Sequence, residues 1–274
     1  MTHPASYVSS THLQVPTGDK ASPGQALGLT DISIDYGPRQ LLGRFFLSAD
    51  TLLQQMGITL TFGTFDDVME ANRNNRDSWF PIVPTFNPDN GLCDPDWAYA
   101  LIGRLANGTI VTVQAARIFD WRSTNFKAEA ESRRLFYANP ASVGRPQERC
   151  GVTAPTAALL GGTVAFSGGA WWHPQVRGKL LGSILSRVSR AYAYTHWHAD
   201  LTMAVMSKPL INRGFAARNG YQHCELGFTL RNFELGDYDG GAVWIMADEM
   251  LSDLSAFVDS LAPELSTVGD LRRA

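Results

Sequence analysis

The residues best suited to chemistry lie in a short basic turn, Gln175 to Gly182, which reads Gln-Val-Arg-Gly-Lys-Leu-Leu-Gly. Its glycines let backbone amides approach a ligand closely, and Arg177 and Lys179 add two full positive charges. The first amides of a helix have no partner inside the helix, and their partial positive charge suits an anion. If a helix begins here, the turn therefore predicts a site for a phosphate.

Two elements are predicted on either side of this turn. Residues 163–172 are apolar and aromatic, contain no charge and end before His173 and a proline, which predicts a buried strand. After Lys179 the apolar residues recur at three-and-four spacing, which predicts a helix with Arg187 and Arg190 on the side opposite its apolar stripe. The stripe comprises Leu180, Leu181, Ile184, Leu185, Val188, Ala191 and Thr195.

The strand, turn and helix together resemble the coenzyme A loop of the GCN5-related N-acetyltransferase (GNAT) superfamily. The signature of that loop is Gln or Arg, two residues, Gly, one residue, then Gly or Ala. Gln175, Arg177 and Gly178 match it, as does the additional Gly182 that is common in the family. Leu180 departs from it, because the family has a small residue there against the pyrophosphate, so this leucine should either turn inward or narrow the pocket. The alternative is an ordinary strand-to-helix connection.

The resemblance implies an acyl-CoA-dependent N-acyltransferase, with acetyl-CoA or another acyl-CoA as co-substrate and an unidentified amine as acceptor. A strand backbone amide near Trp171 and Trp172 is expected to polarise the thioester carbonyl while the amine attacks directly. The two tryptophan side chains either stack against an acyl chain or the acceptor, or they belong to the core. The residues expected at the coenzyme are Trp171, Trp172, Gln175, Val176, Arg177, Gly178, Lys179, Leu180, Leu181, Gly182 and Ser183.

The proton for the leaving thiolate must come from water or from an element other than the one that carries the tyrosine usual in the resembled family. Many members place that tyrosine four residues before the Gly of a Gly-Phe or Gly-Tyr pair, which resembles Gly220-Tyr221 here, and the corresponding position is Ala216. Ser207, at the end of the next predicted strand, and His173 are the catalytic candidates, whereas Tyr221 is expected to anchor the core. A catalytically silent acyl-CoA-binding or partner-binding protein on the same fold is the alternative function.

The pattern elsewhere predicts an α/β (α+β) fold. From residue 57 the order is strand, helix, hairpin, strand, helix, strand, helix and two strands, which is the order of the resembled family. It implies a GNAT-like mixed, mostly antiparallel central sheet flanked by helices on both faces. Residues 1–38 are predicted to be a mobile arm or a surface strap, and 39–274 a single domain with helical additions at both ends. The predicted strands are 57–62, 97–105, 109–119, 163–172, 200–206, 221–230 and 241–247; the predicted helices are 41–56 (one or two), 64–76, 126–137, 179–197, 209–219 and 248–261.

Composition limits the function classes. The 274 residues are 45% hydrophobic and 18% charged, with no apolar run of membrane-spanning length and no secretory leader, so we expect a cytoplasmic protein without membrane contact. A net charge of −3 gives no general affinity for nucleic acid. Three distant cysteines argue against a disulfide framework and a zinc site. His196, His198 and Asp200 are better interpreted as packing or surface residues than as metal ligands, so no metal is expected. Whether the chain forms a homodimer is left open.

Overall fold

A computed structural model describes residues 27–178 and 180–271, with side chains up to residue 261, and in this part of the chain eight strands form one sheet. The strand order is β1-β2-β3-β5-β6-β8-β7-β4, and every adjacent pair is antiparallel except β5 with β6. The predicted mixed, mostly antiparallel sheet is confirmed. The strands are β1 Ile58–Gly63, β2 Ala98–Leu105, β3 Ile110–Trp121, β4 Arg149–Val152, β5 Gly162–Trp172, β6 Leu201–Ser207, β7 His223–Arg231 and β8 Tyr238–Met246.

Helices cover both faces of the sheet, as predicted. Side chains of α1, α4 and α7 pack on one face, which we call the α4 face, and α2 packs with the long connecting segments on the other, the α2 face. Alternation along the strands explains this arrangement, because successive side chains of β2 and β3 contribute to opposite layers. The helices are α1 Arg39–Gln55, α2 Phe65–Asn74, α3 Phe126–Glu131, α4 Leu181–Trp197, α5 Lys208–Asn212, α6 Phe215–Arg218 and α7 Ala247–Leu271.

The two parallel strands, β5 and β6, separate after a short paired stretch. They pair only over Val164–Phe166 and Leu201–Met203. Beyond Phe166, β5 bulges against β3, where Gly169 has a φ of +57° that favours glycine. The gap between the diverging ends of β5 and β6, which we call the fork, opens at the sheet edge where α4 begins.

Three local predictions need correction. The stretch 144–156, predicted as loop, contains β4, which pairs with β7 at the edge of the sheet. The predicted helix 126–137 ends at Glu131, before Arg133 adopts a positive φ of 66°. The predicted helix 209–219 is two short helices, because Gly214 adopts a left-handed conformation between them.

The segment 27–38 packs on the domain as a strap. Gly28 bridges to Thr61 of β1, Leu29 is buried, and the carbonyl oxygen of Tyr36 accepts a 3.0 Å hydrogen bond from the Thr195 hydroxyl of α4. The rest of the predicted arm, residues 1–26, lies outside the described residues. A single helix, α1, occupies the region where one or two helices were predicted.

Arg187 and Arg190, which were predicted on the side of α4 opposite its apolar stripe, lie against α7, which covers that side. Nε and Nη2 of Arg187 donate to the Asp253 carboxylate of α7, each at 2.8 Å. Arg190 is only 1% exposed and donates to the backbone carbonyl oxygens of Asn219 and Gly220. The two arginines therefore connect α4 to α7 and to the turn before β7.

We predict that Asp253→Asn lowers the free energy of unfolding by about 3 kcal/mol, because it leaves two largely buried guanidinium groups without their carboxylate. The matched control is Asp259→Asn on the same helix, whose partner Arg44 and own side chain are both mostly exposed. That change should cost less than about 0.5 kcal/mol. Urea unfolding followed by fluorescence measures both, and equal values for the two variants would contradict the role given to Asp253.

Candidate functional site

The predicted turn before α4 is present at the edge where the fork opens. Pro174–Val176 form a short 3-10 helix, and the buried Val176 side chain fixes it to the core of the α4 face. Gly178 has a φ of +82°, and no atom lies within 4 Å of where a Cβ would stand. Gln175 and Gly178 are exposed, and Lys179 lies outside the described residues. The strand, turn and helix predicted from the sequence are thus confirmed, with open space above the glycine.

The first turn of α4 has no side-chain cap in the described part of the chain. Leu180 occupies the N-cap position and supplies no acceptor, and the first amide with a helical partner is that of Ile184. The Ser183 hydroxyl accepts from Arg187, one turn along. The amides of Leu181, Gly182 and Ser183 have no hydrogen bond among the described residues, and the positive end of a helix at such amides suits an anion.

The Arg177 side chain is held by hydrogen bonds to two backbone carbonyl oxygens. Its Nε donates to the carbonyl oxygen of Trp172 and its Nη2 to that of Ser78, each at 3.0 Å. The guanidinium group therefore joins the end of β5 to the segment between α2 and β2. Its positive charge stays beside the turn, but two of its donors are already used by the protein.

Leu180 was predicted to belong to the buried stripe of α4, and this is wrong. Its side chain is 49% exposed, whereas the neighbouring Leu181 is buried in the α4-face core. Since α4 begins at Leu181, position 180 precedes the helical period on which the stripe was built. Of the two expectations for Leu180, turning inward is excluded, and narrowing the pocket stays a prediction.

The two tryptophans at the end of β5 lie on opposite faces of the sheet. Trp171 is buried on the α2 face, where it stacks on Trp79 at 5.1 Å and its Nε1 donates to Ser78 Oγ at 3.1 Å. Trp172 lies on the α4 face, and a Cβ on Gly182 would stand 3.2 Å from its ring. Its buried Nε1 has no partner among the described residues. Trp171 is thus a core residue, and Trp172 alone lies beside the first turn of α4.

His173 and Ser207 lie at the same sheet edge, because β5 and β6 are parallel and both residues are at the carboxyl ends of these strands. The Nδ1 atom of His173 accepts from the Gln175 amide at 3.3 Å, so the neutral ring carries its proton on Nε2. His173 also lines a cavity of about 260 Å³ together with Asp67 and Glu70 of α2. Ser207 precedes α5, and its hydroxyl has no hydrogen bond among the described residues.

A buried polar group at the base of the fork was not predicted. Gln114 Nε2 donates to Ser167 Oγ at 2.6 Å, and Gln114 Oε1 is buried with no partner in the described ranges. Tyr221 is buried in the core of the α4 face, and Arg190 lies over its ring at 4.7 Å. Burial raises the pKa of Tyr221 even though the positive charge of Arg190 opposes the shift. The sequence feature that could have indicated this group is Gln114, a polar amide side chain between Val113 and Ala115 in the predicted strand 109–119.

His196 and His198, and the cysteines Cys93 and Cys150, have structural surroundings. The His198 ring packs against Tyr36 with centroids 3.5 Å apart, and His196 stacks on Tyr192. Within the described residues no group of three or more potential ligands is placed to hold a metal ion. Burial raises the pKa of the Cys93 and Cys150 thiols to about 12, so neither is a thiolate nucleophile at neutral pH. None of the described helices is both long and apolar enough to cross a membrane.

No family model and no curated protein matches the chain. Among solved structures, it is similar to a putative ribosomal-protein-serine acetyltransferase from Vibrio cholerae, with 13% identity and a TM-score of 0.41 over 69% of this chain and 93% of that one. A spermidine N-acetyltransferase from the same organism shares 11% identity at a TM-score of 0.41, with coverage of 72% and 97%. The structure of AAC(6')-Ib in complex with acetyl-CoA shares 13% identity at a TM-score of 0.38, over 70% of this chain and 95% of that one. At these values the likeness says nothing of what this chain binds.

If coenzyme A binds at this turn and the exposed Leu180 side chain narrows the approach to the helix start, we predict that Leu180→Ala and Leu180→Gly each tighten coenzyme A binding. Their cost in stability should stay within about 1 kcal/mol, the scale of helix propensity. Leu181→Ala is the matched control, since truncating this buried neighbour should cost about 2–5 kcal/mol. Calorimetry and urea unfolding give both quantities. A loss of several kcal/mol at position 180 with unchanged affinity would contradict this assignment.

Proposed function

We propose that the protein is an N-acyltransferase that moves an acetyl or other acyl group from coenzyme A to an amine. The observation that carries the proposal is the start of α4, which has no side-chain cap among the described residues. It follows a glycine turn directly and lies where the ends of β5 and β6 diverge. This is the arrangement that the resemblance to GNAT proteins implies. It supplies in one place an anion site and a gap between strands that leads away from it.

The pyrophosphate of the acyl-CoA is assigned to the turn and the first turn of α4. The amides of residues 181–183, which have no hydrogen bond among the described residues, supply donors, the helix supplies its partial positive charge, and Arg177 adds a full charge beside them. The open space at Gly178 allows a phosphate to reach the backbone. The described residues therefore fit this group, and Lys179 is proposed to add a second full charge.

The thioester is assigned to the fork. Beyond Phe166 the edge of β5 that faces β6 has no strand partner in the described ranges. The bulge at Gly169 also releases backbone groups from the ladder with β3. An amide of this part of β5 is proposed to polarise the thioester carbonyl, because a fixed donor in a site with little water stabilises developing negative charge.

The acceptor must attack as a neutral amine. An alkylammonium group with a pKa near 10 is mostly protonated at neutral pH, so a base or a chain of water molecules has to remove its proton. His173 is proposed for this step and Ser207 for protonating the leaving thiolate. Because His173 Nδ1 is engaged by the Gln175 amide, acting as a base requires the ring to release that 3.3 Å bond. Since this bond opposes the use of His173 as a base, a catalytically silent acyl-CoA-binding protein is the second candidate function.

We predict that Gly178→Asp abolishes measurable acyl-CoA binding, because a carboxylate enters the phosphate site and repels the pyrophosphate. Gly178→Asn is the matched control, since asparagine has the same shape, tolerates a positive φ and carries no charge. It should retain binding within about tenfold of the parent. Isothermal titration with acetyl-CoA measures both variants.

Two results would oppose the coenzyme assignment. If Gly178→Asp binds acetyl-CoA as tightly as the parent, the pyrophosphate lies elsewhere. If the parent itself shows no affinity for acetyl-CoA or for longer acyl-CoA chains, the turn is an ordinary strand-to-helix connection.

We predict that Ser207→Ala and His173→Ala each lower kcat by about 100- to 10,000-fold, the usual range for a lost acid or base. KM for acyl-CoA should stay nearly unchanged, because neither side chain is assigned to coenzyme binding. Release of free thiol from acetyl-CoA with a panel of amines gives both constants. A kcat within twofold of the parent for both variants would remove both residues from the mechanism, and coenzyme binding without turnover on any amine would favour the silent binder.

A further inference from the structure

A second cavity lies far from the α4 turn, at the opposite end of the sheet. It has a volume of about 670 Å³ and is formed where β7 begins and β8 ends. The strand register shows this separation. Met246, in the cavity lining, pairs with Leu201 at the start of β6, whereas the α4 turn follows Trp172 at the end of β5, which runs parallel to β6. The length of β5 separates the two sites by roughly 30 Å. Such a volume falls within the range of small-molecule sites, about 300–1000 Å³.

The charge of this cavity is negative. Glu225 and Glu249 line it, and its lining in the described part of the chain includes no lysine or arginine. Glu225 accepts hydrogen bonds from the amide and hydroxyl of Thr156, and Glu249 accepts from the Met246 amide at 2.9 Å. These donors fix both carboxylates in place. An ionised carboxylate has about four acceptor positions, so each retains some for a ligand.

His223 contributes a further polar group. Its Nε2 lies 2.8 and 2.9 Å from the two oxygens of Glu249, so this nitrogen carries a hydrogen. Its Nδ1 has no partner among the described residues, and the residue lines the cavity. The ring lies flat on Trp244, with centroids 5.2 Å apart, which holds its orientation.

The remaining wall is apolar. Trp244 is 6% exposed, and Leu159 and Met246 also line the cavity although both are exposed, Leu159 at 82%. Exposed large apolar side chains beside a concave surface are typical of ligand sites. A bare metal ion does not suit this lining, because the described residues hold no cluster of three or more ligands placed for one.

We propose that this cavity is a second binding site, which takes an organic ammonium ion with an apolar body. The ammonium group donates to Glu225 and Glu249, and the apolar body covers Leu159 and Met246. Charge-assisted hydrogen bonds to fixed carboxylates are among the stronger polar contacts available to such a ligand. The site is independent of the acyl transfer proposed at the fork, and it is tested by binding alone.

The probe is 2-phenylethylammonium, titrated into the full chain and followed by ligand-detected NMR, with neutral 2-phenylethanol as the matched compound. The ammonium compound should bind at least about tenfold more tightly than the alcohol. Glu225→Gln and Glu249→Gln should each weaken ammonium binding by about tenfold. Glu234→Gln, the same change at an exposed position in the turn between β7 and β8, should leave it unchanged.

A rim variant covers the case in which the carboxylate variants fold poorly. Leu159→Arg places a cation beside the site on a side chain that is largely exposed, and it should weaken ammonium binding by more than the neutral Leu159→Gln. Acetyl-CoA affinity, measured in the same samples, should not change in either variant. The proposal is overturned if the parent does not bind the ammonium compound, if the alcohol binds as well, or if binding survives all the cavity variants, which would place the amine at another site.

Discussion

Hydrogen bonding between β5 and β6 stops after Phe166 and Met203, and the position of the groups proposed for acyl transfer follows from this. A parallel pair that continued would satisfy the backbone of both strands and leave no space between them. The bulge at Gly169 bends β5 away from β6, and glycine tolerates the positive φ that the bend requires. The divergence brings the start of α4, at the end of β5, to the mouth of a gap whose walls include unpaired backbone.

Holding α4 in that position depends on charges as well as on apolar packing. Arg187 and Arg190 are buried between α4 and α7, and Asp253 meets both of them. Arg190 also satisfies the carbonyl oxygens that end α6, and Arg187 reaches back to the Ser183 hydroxyl. A buried guanidinium group is costly unless its donors are met, so these contacts select one arrangement of the helices. The N-terminus of α4 is thereby fixed by α7, an element outside the part of the chain that resembles a GNAT protein.

The sequence predicted what local patterns determine. Residues 163–172 are uncharged and end at a proline, and the apolar spacing after them is helical, so β5, the turn and α4 are recognisable without tertiary information. Helical spacing placed Arg187 and Arg190 opposite the apolar stripe, but spacing cannot show that a distant helix, α7, covers that side. Leu180 was assigned to the stripe because a helix start is blurred by one residue in sequence. The edge strand β4 is only four residues long and forms through its partner β7, so its own residues gave no periodic signal.

The geometry at the fork also bears on where the rate of acyl transfer would originate. Ala216 offers no phenol, and Tyr221, the nearest tyrosine along the chain, is buried in the core with its pKa raised by burial. A buried phenol with a raised pKa is a weaker acid and therefore a poor donor to a departing thiolate. His173 likewise has one ring nitrogen engaged by the backbone. Because neither residue is well placed to transfer a proton, positioning of the amine against a polarised thioester must provide most of any acceleration. Correct orientation of two reactants lowers an activation free energy by about 7–11 kcal/mol. Rigid placement of α4 and of the bulged end of β5 is therefore the property on which the proposed catalysis would depend most.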